Sequence, residues 1–186
     1  MKRVKTVIIA GICLGIGLLA VQIGMGIDSD IFMRNYWMAA PVLVIGVVAV
    51  YVGYQMYYQR KMQKLAGLLA QGKAKEYVDG MMKLRESAKG KDLRNVIDLN
   101  LAAGYVESKQ YGAAVMILES LREEDIRNEN LRVVYCINLC MSYFESGRTE
   151  KARKLYEESR GIFEKYRGGE LYGECIGKLD EMMRAE

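Results

Sequence analysis

Asn100-Leu101-Ala102-Ala103-Gly104-Tyr105-Val106-Glu107-Ser108 returns 38 residues on as Asn138-Leu139-Cys140-Met141-Ser142-Tyr143-Phe144-Glu145-Ser146. Asn, Leu, Tyr, Glu and Ser keep their places in both copies, and Ala114 to Ala152 repeats the offset. A fixed period in this range marks stacked supersecondary units, none of which buries its apolar face alone. Each copy reads as two antiparallel helices. Leu101 and Tyr105, or Leu139 and Tyr143, stand at i, i+4 on one face of the first helix. A polar break comes next, Ser108-Lys109-Gln110 or Ser146-Gly147-Arg148. Gly147 suits the left-handed residue that ends a helix, and Thr149 suits the cap of the next. The second helix carries Ala114 or Ala152, small enough for close helix approach, with Leu118 or Tyr156 one turn later.

Leucine, tyrosine four on, a turn, alanine nine after the tyrosine and a large apolar residue four later: this order resembles the tetratricopeptide (TPR) repeat. The resemblance covers roughly residues 92–167, as repeats at 92–121 and 130–167. The chain departs from that family in lacking its leading tryptophan and its closing proline, and in placing Cys140 where a small residue follows the leucine. Its period also exceeds the usual ~34 residues, with the excess in the Glu123–Asn130 linker. A degenerate repeat at 62–88 is a further expectation, since Leu68 precedes Tyr105 by 37 residues.

The resemblance implies an α-solenoid whose concave groove is lined by the first helix of each repeat. Matching this sequence to the family pattern places Val96, Leu99, Ala103, Val106 and Glu107 there from the first copy. Val134, Ile137, Met141, Phe144 and Glu145 come from the second. Asn100 and Asn138 fall at an asparagine position of the groove that binds terminal carboxylates in some TPR proteins. The basic positions of that clamp are Val, Leu and Ile here, which argues against carboxylate binding. An apolar groove rimmed by Glu107 and Glu145 suits an amphipathic helix or an apolar peptide with basic flanks. The alternative is a groove filled by the capping helix of the chain itself.

The first third has a different composition. Before residue 65 the chain holds seven bases and two acids, and the remainder holds twenty bases and twenty-one acids. The basic excess therefore sits beside apolar runs, as a topology signal and not as a nucleic-acid footprint. Residues 6–27 follow the basic leader Lys2-Arg3-Val4-Lys5 and contain one strongly polar side chain, Gln22. That length crosses a hydrocarbon core of about 30 Å at about 1.5 Å per residue. A cleaved signal peptide is the competing reading. Its apolar region is normally shorter, and Gly24-Met25-Gly26 is a poor cleavage site. Asp28–Asn35 reads as a polar loop. Residues 36–57 form a second span, with Pro41 near its start and Tyr36, Trp37, Tyr51, Tyr54, Tyr57 and Tyr58 as interfacial anchors.

The expected architecture is therefore all-α: a transmembrane hairpin over 1–60, then a TPR-like domain over 61–186. A half-polar capping helix, 170–183, closes the domain with Leu171, Cys175, Leu179 and Met182/Met183 on its apolar face. Arg60, Lys61 and Lys64 flank the second span. The positive-inside rule then puts the N-terminus and the repeat domain in the cytoplasm of a plasma-membrane protein. Small residues suit contact between the spans: Gly11 and Gly15 in one, Val42, Gly46, Ala49 and Gly53 in the other. Gly11/Gly15 also offers a route to homo-oligomers.

Enzymatic chemistry has little support. The chain has no histidine, the commonest general base and a frequent metal ligand. Cys136 and Cys140 stand at i, i+4 on an apolar helix, a packing arrangement and not a zinc spacing. No glycine loop cradles phosphate, and no cofactor is implied. The expected function is a membrane-anchored adaptor binding a protein or peptide. The alternative is a non-catalytic subunit or assembly factor of a larger membrane complex.

Overall fold

The computed structural model describes residues 15–17, 20–26, 28–126 and 128–184. Among these the regular elements are helices and no strand occurs, so the protein is all-α. Two compact units divide between Tyr54 and Gln55. The basic leader, residues 6–14, Gly11 and Cys13 lie outside the described residues.

In the first unit, helix α1 (Gly15–Met25) is short and apolar. Gly26, at φ 63°, turns the chain. Asp28 then accepts the N–H groups of Asp30 (2.9 Å) and Ile31 (3.4 Å), so it caps helix α2 (Ser29–Ala70). Gln22 Nε2 donates to Ser29 Oγ at 3.1 Å. This corrects the reading of 28–35 as a loop, because the Asp28 cap starts the helix at Ser29. Pro41 consequently lies inside α2, where it withdraws one N–H from the ladder. The stretch Ala40–Ala70 is long and apolar enough to cross a membrane, by length and composition. In the apolar part of that stretch Val42 is 69% and Val50 75% exposed.

The second unit contains helices α3 (Ala74–Ser87), α4 (Lys91–Glu107), α5 (Tyr111–Ser120), α6 (Glu129–Glu145), α7 (Thr149–Glu158), α8 (Arg160–Tyr166) and α9 (Gly173–Arg184). Three times it reverses by one turn. The N–H groups of Gly72, Lys109 and Gly147 donate to Leu69, Val106 and Phe144, each at 2.9 Å. The next N–H groups, of Lys73, Gln110 and Arg148, donate to Leu68, Tyr105 and Tyr143 at 2.9, 2.8 and 2.8 Å. The central residues have φ of 72°, 58° and 75°. This is the Schellman motif, which satisfies carbonyls left orphaned at a helix end. Its spacing gives the end of α2 and α3 the same relation as α4 and α5, and as α6 and α7.

Packing repeats with the turn. Tyr105 reaches back to Met82 Sδ on α3 (3.6 Å), and Tyr143 reaches back to Glu119 Oε1 on α5 (2.9 Å). Tyr77 of α3 is buried, and its hydroxyl donates to the Asn100 carbonyl at 2.9 Å. Its ring lies against Gly104, where an added Cβ would stand 2.5 Å from two ring carbons. Buried Asp98 of α4 is ion-paired to Arg85 of α3, with a second contact at 3.4 Å. The α5–α6 linker contains a 3-10 turn, Glu123–Asp125, tied down by Lys91–Asp125 (2.6 Å) and Arg132–Glu123 (2.5 Å). Leu118, Val133, Cys136, Cys140, Ala152, Phe163, Ile176 and Leu179 share one core.

Several local expectations change. Gly90 occupies the cap position of α4 and Arg148, not Thr149, that of α7, and neither makes a side-chain cap bond. In the second case the turn itself fixes Arg148 through its N–H bond to Tyr143, so Thr149 is already helical. Asn128 does cap α6, accepting from Asn130 (2.9 Å) and Leu131 (3.3 Å). The helix after Gly147 breaks at Ser159 into α7 and α8. The closing helix begins at Gly173, which leaves Leu171 before it and 75% exposed. Its inner face is Ile176 and Leu179, with Tyr172, Met182 and Met183 half-buried, and Cys175 is exposed.

Two substitutions test this packing on the full chain in detergent, by urea unfolding followed in the far-ultraviolet. Gly104→Ala forces a methyl against the buried Tyr77 ring and is expected to cost about 1–3 kcal/mol. Lys109→Gly relieves the left-handed residue and is expected to gain up to about 1 kcal/mol. An unchanged midpoint for Gly104→Ala contradicts the close approach of α3 and α4.

Candidate functional site

The sequence-predicted groove residues lie on α4 and α6, which pack together. They do not all reach the surface. Leu99 and Ile137 are buried at 1% and 5% exposure and belong to the core. Val134, Met141 and Phe144 are half-buried and pack against that core. Val96, Ala103 and Val106 are half-buried on α4, while Glu107 and Glu145 lie at the ends of their helices, Glu107 exposed and Glu145 exposed beside it in the repeat.

Burial first, then Glu145 and Glu107, push the Tyr111 hydroxyl above its usual range. Tyr111 opens α5, directly after the left-handed turn at Lys109. The repeat pattern alone does not single it out. Its sequence signal is indirect: Glu107 and Glu145 occupy the same place in each copy, and Tyr111 follows the turn after Glu107.

Helix α9 packs on α6. Ile176 and Leu179 are fully buried. Lys178, paired to Glu174 at 2.8 Å, also feels the charge of Glu107. Asp180 locks the helix in place: it accepts the Tyr156 hydroxyl at 2.5 Å and is ion-paired to Arg167. Part of the α6 face is thus taken by the chain itself.

The cysteines differ in chemistry. Cys136 and Cys140 are 1% and 0% exposed. Burial pushes both thiols up, opposed at Cys136 by a hydrogen bond with Ser159. The thiolate, the nucleophilic form, is therefore disfavoured at both. A cleft of about 230 Å³ lies over Cys136, between Glu129, Arg132, Glu158, Ser159, Gly161 and Ile162. Arg132 and Glu129 on its rim are engaged by Glu123 and Lys165. Among the described residues no three His, Cys, Asp or Glu side chains are grouped to hold a metal.

Comparison with models of known families, with curated proteins and with solved structures finds no match to this chain.

The thiol geometry is open to direct measurement. Under native conditions a maleimide is expected to label Cys175 and to leave Cys136 and Cys140 unmodified until denaturant is added, as read by peptide mass mapping. Rapid native labelling of Cys136 contradicts the packing of α6 against α7 and α8.

Proposed function

We propose that this chain is a membrane-anchored, TPR-like adaptor in which α4 and α6 form a binding surface for an apolar or amphipathic peptide. The observation that carries this reading is the three-fold recurrence of one Schellman turn at 37- and 38-residue spacing. It sets helix pairs in the register that lets first helices lie side by side, as α4 and α6 do. Stacked helix pairs of this kind present one face formed by their first helices, and extended surfaces of that sort bind peptides and proteins. The half-buried apolar residues of α4, flanked by Glu107 and Glu145, suit an apolar segment followed by a basic side chain. The unpacked apolar length of α2 supports the anchor, because large contiguous apolar surface in water is unfavourable. Basic residues after the span support a cytoplasmic domain.

A photo-crosslinking residue at Ala103 of the full chain in its native membrane tests the binding surface. Capture of a discrete protein, reduced at least about tenfold by Val106→Glu with the fold intact by circular dichroism, is the expected result. No crosslink, or capture indifferent to Val106→Glu, removes α4 as the site. Protease digestion of sealed vesicles tests orientation: cleavage of the 61–186 region only from the outer side refutes a cytoplasmic domain.

A second reading, a non-catalytic subunit of a larger membrane complex, draws on the exposed Val42, Gly46, Ala49 and Gly53. Added Cβ atoms at Gly46 and Gly53 would meet nothing within 4 Å, so another helix has room to approach there. Capture by a crosslinker at Gly46 and not at Ala103 favours it.

A further inference from the structure

The last turns of α2, within the second unit, pack on α3. Tyr58 is buried, and its hydroxyl donates to the Ser87 carbonyl at 2.8 Å. Leu65 occupies the space that a side chain at Gly80 would need. Tyr58, Met62, Leu65 and Leu69 therefore form the side of α2 turned toward α3. At about 100° per residue, Tyr57, Arg60, Lys61 and Lys64 fall within one arc of about 100° outside that side, Arg60 and Lys64 farthest from it. All four are exposed. Lys61 Nζ lies 5.0 Å from the Tyr57 ring centroid.

These charges are unneutralised. Among the described residues no carboxylate forms an ion pair with Arg60, Lys61 or Lys64. Many bases elsewhere are engaged: Arg85 with Asp98, Lys91 with Asp125, Lys165 with Glu129. The wider balance follows the same division. Residues 55–90 hold eight bases and three acids, and residues 91–186 hold fifteen bases and eighteen acids. Orienting a span requires only that bases lie near its end in sequence. It does not require that they share one exposed arc free of ion-paired acids.

We propose that Tyr57, Arg60, Lys61 and Lys64 form a docking face for the headgroups of anionic phospholipids. The proposal rests on the membrane-anchored reading above. From Tyr57 to Lys64 the helix rises about 10 Å. That matches an interfacial layer of about 5–8 Å on each side of the hydrocarbon and a screening length of about 8 Å. A tyrosine at the apolar boundary and three bases above it thus meet the lipid tails and the phosphate layer in turn. Lys73 and Lys75, past the end of α2, lie beyond that reach and are not included.

The test uses the full chain in mild detergent, offered phosphatidylglycerol and phosphatidylcholine in equal amounts, with bound lipids counted by native mass spectrometry. Phosphatidylglycerol adducts are expected to exceed phosphatidylcholine by at least about fivefold, the factor one base contributes beside an anionic surface. Arg60→Gln/Lys61→Gln/Lys64→Gln, checked for fold by circular dichroism, is expected to remove most of the excess. Equal adducts, or an excess that survives the triple variant, overturn the proposal. So does displacement by inorganic phosphate, which would indicate a free-anion site. Alkaline carbonate extraction of membranes runs beside it. Release of the chain overturns the anchored reading and this one together; a resistant chain without headgroup preference overturns this one alone.

Discussion

Each reversal of the second unit depends on one residue held at positive φ, at Gly72, Lys109 or Gly147. The backbone bonds around it satisfy carbonyls at the helix end and aim the next helix back along the first. Because the geometry is the same three times, the side that one pair presents to the next is also the same. That is why Tyr105 and Tyr143, 38 residues apart, each reach the second helix of the preceding pair. Glycine accepts this conformation without a Cβ penalty. Lys109 does not, and it is held there by two backbone bonds and by the packing of α4 on α5.

Side-chain pattern carries part of this architecture and backbone geometry carries the rest. The two full copies are legible because Leu, Tyr and Ala sit where helices touch. The first pair is nearly invisible: Leu68 keeps its offset, but Tyr77 stands where Ala114 and Ala152 would be expected. The structure accommodates the larger ring by meeting it with Gly104 on the next helix. Helix starts were the least legible feature, since an N-cap is decided by where the preceding turn ends and not by residue type alone. Asp28 and Asn128 cap, while Thr149 does not. The candidate surface suffers from a similar ambiguity. Leu99 and Ile137 are one helical step from residues that face outward, and a shift of about 100° separates lining a groove from filling a core.

Buried polar pairs hold the helix pairs in register. Asp98 is satisfied by Arg85 across α3 and α4, and Asp180 by Tyr156 and Arg167 across α7 and α9. Between α5 and α6, the Tyr143 hydroxyl and then Lys151 hold the Glu119 carboxyl below its usual range. Burial first, and Glu119 next, push the Tyr143 hydroxyl up to about 12. Such pairs add little net stability, because desolvation offsets much of the attraction. Their effect is selective: a slip of one residue would leave a buried carboxylate unpaired, so misregistered packings are disfavoured more than the native one is favoured.

The ends of the second unit differ in what they leave unsatisfied. At α9 the apolar side is spent on Ile176 and Leu179, and the outward residues are polar or charged, among them Glu174, Lys178 and Glu181. Near the end of α2 the exposed Arg60, Lys61 and Lys64 have no ion-paired acid among the described residues. On the proposed reading these differences have one consequence. The α9 end offers no apolar face for a further helix pair, and the α2 end is committed to the membrane surface. A partner is then left with the half-buried residues of α4 between them, where α9 has already claimed the neighbouring side of α6. Affinity there must come from a few apolar contacts on a short surface, with Glu107 and Glu145 contributing orientation more than strength.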